Sequence, residues 1–409
     1  MKRVILMLSF FAGTLVQAQE APKDDKKNEE FKIAALPYYS YGKGLGMTSA
    51  DSLFQLNIRF RMQNRVTYFN NEGEDNSYEA QIRRLRLRFD GYVGDPRFQY
   101  AIQLSFSPGD VGEVEEGKNL NIIRDAAITY KPNKNWSFLF GQTKLPGNRQ
   151  RINSSGSLQL TDRSINNAKF NIDRDFGFQA YYLNEQKDKF AYNVKTAISS
   201  GKGRNWSNKD NNVALTGKLE IYPFGNFKSG GEYFEGDIKR EETPKLMLSG
   251  VYHKNFGAQY DRGQQGSQLF ESKNLQSVFI DAIAKYNGWA GMISYMNRST
   301  NNSAITYAID ETGNPSRSHV FVGHGMDYQL SYTFLSHYEL IGRYSNQKVK
   351  DEIFELYVPN NEQFSLGITK YIWEHAFKVQ GEVTYDKLHY FDGNQKNNWY
   401  VRFQIEIGI

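Results

Sequence analysis

The stretch NNWYVRFQIEIGI, at positions 397–409, decides the fold class of this chain. Every second residue in it is apolar: Trp399, Val401, Phe403, Ile405, Ile407 and Ile409. The residues between them are polar, small or amphipathic: Tyr400, Arg402, Gln404, Glu406 and Gly408. Because successive side chains of an extended chain point to opposite faces of a sheet, this alternation predicts a β-strand with one apolar and one polar face.

The same alternation recurs from residue 53 to the C-terminus. It predicts sixteen strands, which begin near Leu53, Leu85, Phe98, Asn121, Trp136, Asp175, Lys189, Val213, Lys245, Asn274, Trp289, Val320, Tyr338, Gln363, His375 and Trp399. The chain also contains 27 Tyr and 28 Phe, residues that favour strands and the two interfaces of a membrane.

The N-terminus has the features of an export signal. Lys2 and Arg3 precede the apolar run 4–16, and Val16-Gln17-Ala18 forms a small-residue cleavage site, so we assign residues 1–18 to a signal peptide. Exported alternating strands predict an all-β protein, a transmembrane antiparallel β-barrel of about 16 strands whose apolar face meets lipid. A mean hydropathy of −0.64 agrees with such a barrel, because its strands alternate. The rival is a soluble two-sheet sandwich.

The connections between the predicted strands alternate in length. Residues 19–50 form a charged and glycine-containing lead-in, and residues 51–409 form the barrel. Short turns, such as the one at 94–96, alternate with longer segments, as expected for periplasmic turns and outer loops. The segment 223–244 is long where a short turn is due, which leaves room for one more hairpin in the count.

Arginines share the polar face of the first two strands. They are Arg59, Arg61 and Arg65 on one and Arg84, Arg86 and Arg88 on the next. An Arg facing lipid at the midplane costs about 2–4 kcal/mol, and several would exceed the roughly 5–15 kcal/mol stability of a typical protein. We therefore expect a cationic wall inside the lumen, the device of anion-conducting pores. Candidate compensating carboxylates on the polar faces are Asp90, Asp125, Glu220, Asp281, Glu339 and Glu382.

The third long connection, 147–174, adds further cations. Arg149, Arg151, Arg163, Lys169 and Arg174 face only Asp162 and Asp173 in this segment. From its position we expect it to fold inward as a constriction, with a surface loop as the alternative.

Enzymatic chemistry is not indicated. The sequence has neither the Gly-x-Ser-x-Gly nor the His-Glu-x-x-His pattern, and no cysteine. Asp386, His389 and Asp392 fall at a predicted strand end and loop, where we interpret them as solvated residues. The acidic loop with Asp110, Glu113, Glu115 and Glu116 receives the same interpretation. We predict no catalytic site, metal or cofactor, and no nucleic-acid partner.

Several short motifs resemble a known family. YGKGLG at 41–46, DSLF at 51–54 and RFRMQ at 59–63 resemble the start of the phosphate-selective porins of O and P type. IRRLRL at 82–87 with Gly91, ITYKP at 128–132, FGQTKLP at 140–146, RDFG at 174–177 and LG at 366–367 are similar to later parts of that family. The resemblance implies a sixteen-stranded, usually trimeric outer-membrane channel with a lysine cluster and an arginine ladder, here Arg59, Arg61, Arg84, Arg86 and Arg88. The segment 147–174 departs from that pattern in carrying mainly arginines.

These observations predict an outer-membrane porin of a Gram-negative bacterium. Its lumen is expected to pass small anions such as phosphate or polyphosphate, and its outer surface to contact lipid and lipopolysaccharide. A weakly selective general-solute porin and a surface adhesion or binding barrel are the alternatives.

Overall fold

The computed structural model describes residues 38–40, 42, 44–111, 121–186, 189–206, 209, 211–309 and 313–409. The predicted signal peptide, lead-in residues 19–37, 41 and 43, and the acidic residues at 113, 115 and 116 lie outside the described residues. Within the described residues no helix is long and apolar enough to cross a membrane.

Sixteen antiparallel strands of the described chain form one closed barrel. The last strand, Gln395–Gly408, closes the barrel by pairing with the first, Phe54–Asn70, in a register that runs from Trp399 opposite Asn70 to Gly408 opposite Arg61. The sixteen barrel strands are β3 (Phe54–Asn70), β4 (Ser77–Val93), β5 (Asp95–Ser105), β6 (Ile123–Tyr130), β7 (Trp136–Lys144), β8 (Arg174–Asn184), β9 (Ala191–Ser199), β10 (Ala214–Tyr222), β11 (Lys245–Tyr260), β12 (Gln268–Tyr286), β13 (Trp289–Thr300), β16 (Gly323–Thr333), β17 (Tyr338–Val349), β18 (Asn360–Trp373), β19 (Phe377–His389) and β20 (Gln395–Gly408).

Two hairpins stand beside the barrel ring. The first, β1 (Tyr38–Ser40) with β2 (Gly44–Thr48), adds to the start of β3, where Leu45 lies opposite Ile58. The second, β14 (Ile305–Ile309) with β15 (Pro315–His319), belongs to the connection between β13 and β16. The short helices α1 (Pro108–Val111), α2 (Arg149–Ile152), α3 (Ile165–Phe170) and α4 (Asp351–Phe354) all lie in connections.

The barrel is apolar outside and polar inside, as the alternation predicts. On β20, Phe403 is 51% exposed, whereas Gln404 and Glu406 are buried at 1% and 0%. Tyr68 packs on Trp399 at the end of the barrel that carries the long loops, with 5.4 Å between ring centroids. We call this end the loop end and the other the turn end.

The irregular connection 223–244 contains no strand, so the count of sixteen stands. It carries a 3-10 turn, Lys228–Tyr233, and folds into the turn end of the barrel. The ammonium of Lys285 on β12 donates to the carbonyls of Gly231 (2.6 Å) and Gly236 (2.7 Å). These buried bonds explain why a long segment can replace a short turn here, since its inward carbonyls find a cationic donor.

Leu366 provides a test of the outer face, because it lies midway along β18 and is 71% exposed. We expect Leu366→Arg to lower the free energy of unfolding from liposomes by about 2–4 kcal/mol, the cost of a guanidinium at mid-membrane. Urea titration measures this difference. Leu366→Phe, the apolar control, should change it little, and an equal loss in both variants would contradict a lipid-facing Leu366.

Candidate functional site

The connection between β7 and β8 lies inside the barrel, and we call residues 145–173 the inward loop. On one wall, Arg61 of β3 donates to the hydroxyls of Ser154 (2.9 Å) and Ser155 (2.8 Å). On another, Arg298 of β13 donates to the carbonyls of Phe170 and Asn171, both at 2.9 Å. The loop is therefore tied to distant strands and divides the lumen.

Two cavities meet beside the inward loop. The loop-side cavity has a volume of about 1010 Å³ and reaches Asn398. The turn-side cavity has a volume of about 790 Å³ and reaches Gly408. Four residues line both cavities, and we call them the junction residues: Arg86, Lys144, Ser155 and Arg174. Three of the four carry a positive charge.

Positive charge is concentrated along these cavities. Twelve Arg and Lys residues line the loop-side cavity against three Asp, an excess of nine. Six line the turn-side cavity against one Asp and one Glu, an excess of four. The whole chain, with 50 Lys and Arg against 45 Asp and Glu, carries a formal net charge of only +5. The walls of the cavities are thus far more cationic than the protein as a whole.

The arginines of β3 and β4 lie directly opposite one another. Arg59 pairs in register with Arg88, and Arg61 with Arg86. Like charges opposite each other on a sheet repel, so they require compensation. Asp90 supplies it for one pair, because its carboxylate contacts Arg59 and accepts from Arg88 Nε at 3.0 Å.

Asp110, in α1, compensates Arg86 of the second pair and also Arg124 of β6. Its carboxylate accepts from Arg86 Nε at 2.8 Å, and Arg124 of β6 lies 2.7 Å from its other oxygen. Burial would raise the pKa of Asp110, but the charges of Arg86 and Arg124 outweigh it and hold the pKa well below its usual range. Arg86 also donates to the hydroxyl of Ser155 at 2.9 Å, which fixes the inward loop against β4.

A β-bulge brings two consecutive arginines into the lumen. The register between β3 and β4 shifts between Gln63 and Asn64, so Arg83 is left without an opposite residue. Arg83 and Arg84 therefore both reach Asp162 of the inward loop, at 2.8 and 3.0 Å.

Asp162 holds three arginines at once, since Arg65 also lies 3.3 Å from it. Burial acts to raise the pKa of Asp162, but the charges of Arg83, Arg84 and Arg65 hold that pKa well below its usual range. The carboxylate is the main ionic tie between the inward loop and the wall of β3 and β4.

The side chains of Lys144 and Arg163 bind only backbone carbonyls. Lys144 Nζ donates to Ile152 O (2.8 Å) and Asn153 O (3.0 Å). Arg163 donates to Gln150 O (2.5 Å) and Asn153 O (2.9 Å). Across the described ranges, no carboxylate oxygen lies within 4 Å of either charge. In the described structure no carboxylate therefore compensates Lys144 at the junction or Arg163 on the wall of the loop-side cavity.

Arg174 and Arg151 are paired instead. Arg174 Nε lies 2.9 Å from Asp125 Oδ1, and Arg174 Nη1 lies 3.4 Å from Asp173 Oδ1. Arg151 lies 2.5 Å from the same Asp173. Burial would raise the pKa of Asp173, but Arg151 and Arg174 keep it well below its usual range. The junction thus combines paired guanidinium groups with the ammonium of Lys144.

Comparison with known proteins shows the family to which this barrel belongs. A family model described as phosphate-selective porin O and P matches residues 54–283, more than half of the chain. The chain belongs to the phosphate-selective porin O and P family. Family and fold make it an outer-membrane channel protein of the Gram-negative type. No curated protein matches the sequence of this porin.

Solved structures share the porin fold at low sequence identity. The outer membrane channel DcaP of Acinetobacter baumannii is 15% identical, with a TM-score of 0.53 over 87% of this chain and 97% of that one. The anion-selective porin from Comamonas acidovorans is 11% identical, with a TM-score of 0.51 over 87% and 99%. Salmonella typhi OmpF, in complex with daunomycin, is 14% identical, with a TM-score of 0.50 over 86% and 98%.

The porin structure brings most of the predicted site residues together. Those that line one or both cavities are Arg59, Arg61, Arg84, Arg86, Arg88, Arg151 and Arg163. Arg149 lies apart from them, since its guanidinium is buried and donates to Phe234 O at 2.7 Å. Lys169 also lies apart, with its ammonium 5.1 Å from the ring centroid of Phe321. Arg65 is buried as an anchor for the inward loop. These three lie on neither cavity wall.

Sequence reasoning missed several residues of this porin site. By strict alternation Lys144 would lie on the outer face of β7. The alternation ends at Gly141, which adopts a φ of +124°, because Gly141 and Gln142 are both buried. Lys144 therefore lines the cavities. Arg83 falls on the apolar phase of β4, and its high cost in lipid is a sequence signal for the bulge. The other cavity-lining arginines that the prediction left out are Arg124, Arg204, Arg262 and Arg402. Arg174, named with the cations of the connection 147–174, also lines both cavities.

The residues weighed as metal ligands have ordinary partners. Asp386 accepts from Gln363 at 2.7 Å, and Asp392 accepts from the backbone and side chain of Asn394. In the described part of the porin, no group of three or more His, Cys, Asp or Glu residues is placed to hold a metal ion.

Proposed function

We propose that this porin conducts small anions, with phosphate and short polyphosphate among them. The observation that carries the proposal is the junction, where Arg86, Lys144 and Arg174 line both cavities. A cleft with one sign of charge raises the local concentration of the opposite ion, and Arg and Lys rings favour anions in pores. The pathway then follows the wall of β3 to β8, past the inward loop.

The chemistry of the junction suits oxyanions. A guanidinium donates in a fork that matches two phosphate oxygens, and an ammonium acts as a compact point charge. Arg86 and Arg174 supply the first kind of group, and Lys144 supplies the second. An entering phosphate would exchange water and the carbonyl contacts of Lys144 for charge-assisted bonds.

Phosphate should therefore inhibit chloride current through the wild-type porin in a saturable manner. The expected cause is occupancy of the junction, since an anion held there by several donors blocks smaller ions while it stays. Chloride conductance in planar bilayers, titrated with phosphate at constant ionic strength, measures this effect. Lys144→Gln should need about tenfold more phosphate, because one full charge is lost. Equal inhibition by phosphate and by an uncharged sugar would contradict the phosphate part of the proposal.

One observation favours the alternative of a weakly selective general-solute porin. Asp110, Asp125, Asp162 and Asp173 neutralise part of the wall. If this compensation were complete, the pore would discriminate solutes by size and pass both ion signs. The unpaired Lys144 and Arg163 favour the anion pathway over this alternative. A barrel that shows no conductance would support the adhesion alternative.

Export and assembly complete the proposal. Residues 1–18 act as a cleaved signal peptide, and the mature chain lies among outer-membrane lipid and lipopolysaccharide. The resemblance to the family further implies a homotrimer, in which each chain carries its own junction. The mass of the mature protein and the size of the complex extracted in mild detergent test these two parts.

A further inference from the structure

Four carboxylates lie on the barrel wall from β12 to β19. They are Asp281, Asp327, Glu339 and Glu382, and each is at most 3% exposed. The sequence suggested Asp281, Glu339 and Glu382 as partners that compensate the arginines. In the described part of the chain, no side-chain nitrogen of Arg, Lys or His lies within 4 Å of any of the four carboxylates. They also line neither cavity, although twelve cations line the loop-side cavity.

The inward loop covers each of these carboxylates with uncharged donors. The backbone N–H of Arg149 donates to Asp281 at 3.0 Å. The side chains of three loop residues donate to the others: Ser164 to Asp327 (2.6 Å), Gln159 to Glu339 (2.6 Å) and Thr161 to Glu382 (2.7 Å). The backbone N–H of Thr161 adds a second bond to Glu382, at 2.9 Å.

Covering the four carboxylates changes the electrostatic potential that acts on a solute in the lumen. A carboxylate exposed in the lumen would act on ions over about 8–10 Å of physiological salt solution and would attract cations. A carboxylate buried behind the loop is bound by hydrogen bonds and has no direct contact with the pathway. Arginines of β3, β4, β6 and β8, among them Arg61, Arg86 and Arg174, line the cavities, whereas the four covered carboxylates line neither cavity.

We infer that the inward loop is an electrostatic screen, whose residues Gln159, Thr161 and Ser164 determine ion specificity by covering Glu339, Glu382 and Asp327. This inference rests on the proposed anion pathway. It adds that narrowing of the pore is only part of the role of the loop. Without the cover, the same barrel would carry two walls of opposite charge.

A loop replacement separates screening from narrowing. Residues 159–166 (QLTDRSIN) contain one Asp and one Arg, so replacing them by Gly-Ser-Gly removes the donors without changing the net charge. We expect the anion-to-cation permeability ratio of this shortened pore to fall about fivefold or more, as three carboxylates become exposed. The combination Asp327→Asn, Glu339→Gln and Glu382→Gln should restore at least about half of that loss on a logarithmic scale.

The same three neutralisations in the full-length loop are the matched control. There they should change the ratio by less than about twofold, because the carboxylates are already hidden. Equal effects of the neutralisation in both loops would overturn the screen, as would a shortened pore that the neutralisation fails to restore. A wild-type pore without anion preference would refute the proposed function instead, and the next experiment would still decide whether the carboxylates are covered.

Thiol labelling tests the cover in the intact barrel. The chain has no cysteine, so a single introduced one is unambiguous. In the full-length protein, Glu339→Cys should react with a small water-soluble thiol reagent at least about tenfold more slowly than Arg88→Cys, because reaction requires local opening of the loop. In the shortened pore the two rates should converge. Similar rates with the full-length loop would overturn the screen.

Discussion

Lys144→Glu is expected to lower the anion-to-cation permeability ratio by at least about tenfold. The substitution moves the charge at the junction by two units, at a position where the described structure provides no carboxylate partner. Two unit charges about 4 Å apart interact by about 1 kcal/mol in water and about 4 kcal/mol at an effective dielectric of 20, and 1.4 kcal/mol corresponds to a factor of ten. Reversal potentials in a potassium chloride gradient measure the ratio.

Two variants control for this result. Lys144→Gln should give an intermediate ratio, since it removes one unit of charge and keeps a donor for the carbonyls of Ile152 and Asn153. Lys396→Glu makes the same charge change at an exposed residue that lines neither cavity and should leave the ratio close to wild type. A drop of the same size in Lys396→Glu would show that the effect is not specific to the junction.

Asp162→Ala is expected to destabilise the protein and to free the inward loop. Three guanidinium groups, of Arg65, Arg83 and Arg84, lose their common carboxylate. Breaking a buried ion pair costs about 3–5 kcal/mol, and we expect roughly 2–4 kcal/mol here because 23% of the Asp162 side chain is exposed. Urea unfolding and protease cleavage within the loop measure the two effects.

The pH dependence of this contribution follows from the lowered pKa of Asp162. The unfolded carboxyl group has an ordinary pKa near 3.9, so the stabilisation is fully present above about pH 5 and is lost as the pH falls through the lower folded pKa. Wild type and Asp162→Ala should therefore differ by the same free energy at pH 5 and pH 8. Asp162→Asn should lose most of the same stability, because the charge is essential. A stable Asp162→Asn would show that hydrogen bonding alone ties the loop.

The outer architecture of the barrel could be predicted because lipid enforces a two-residue period. The alternation on β20 and the sixteen strands are confirmed, and the long 223–244 segment proves to be an inward-folded connection. The positions of side chains inside the barrel are less constrained by the sequence pattern, since any polar contact that satisfies a buried group is acceptable there. The bulge at Arg83 and the inward turn of Lys144 after Gly141 break the period, so the alternation alone could not place them.

The partners of the charged residues could not be predicted from strand phases. Asp90 and Asp125 do pair with arginines, but Asp281, Glu339 and Glu382 are covered by the inward loop. The alternation along a strand predicts the face on which a side chain lies. It does not predict which loop residues contact that side chain. Arg86 illustrates the consequence. Because it is paired with Asp110, Arg86→Glu would place two carboxylates together and impair assembly, so Lys144 is the sharper probe of selectivity.

The most direct test of the central claim is the reversal potential of the wild-type porin in a tenfold gradient of potassium chloride. The cationic walls of the two cavities predict a potential of the sign set by chloride, which shrinks as the salt concentration is raised and the charges are screened. A potential near zero, or one of the sign set by potassium, would contradict the account.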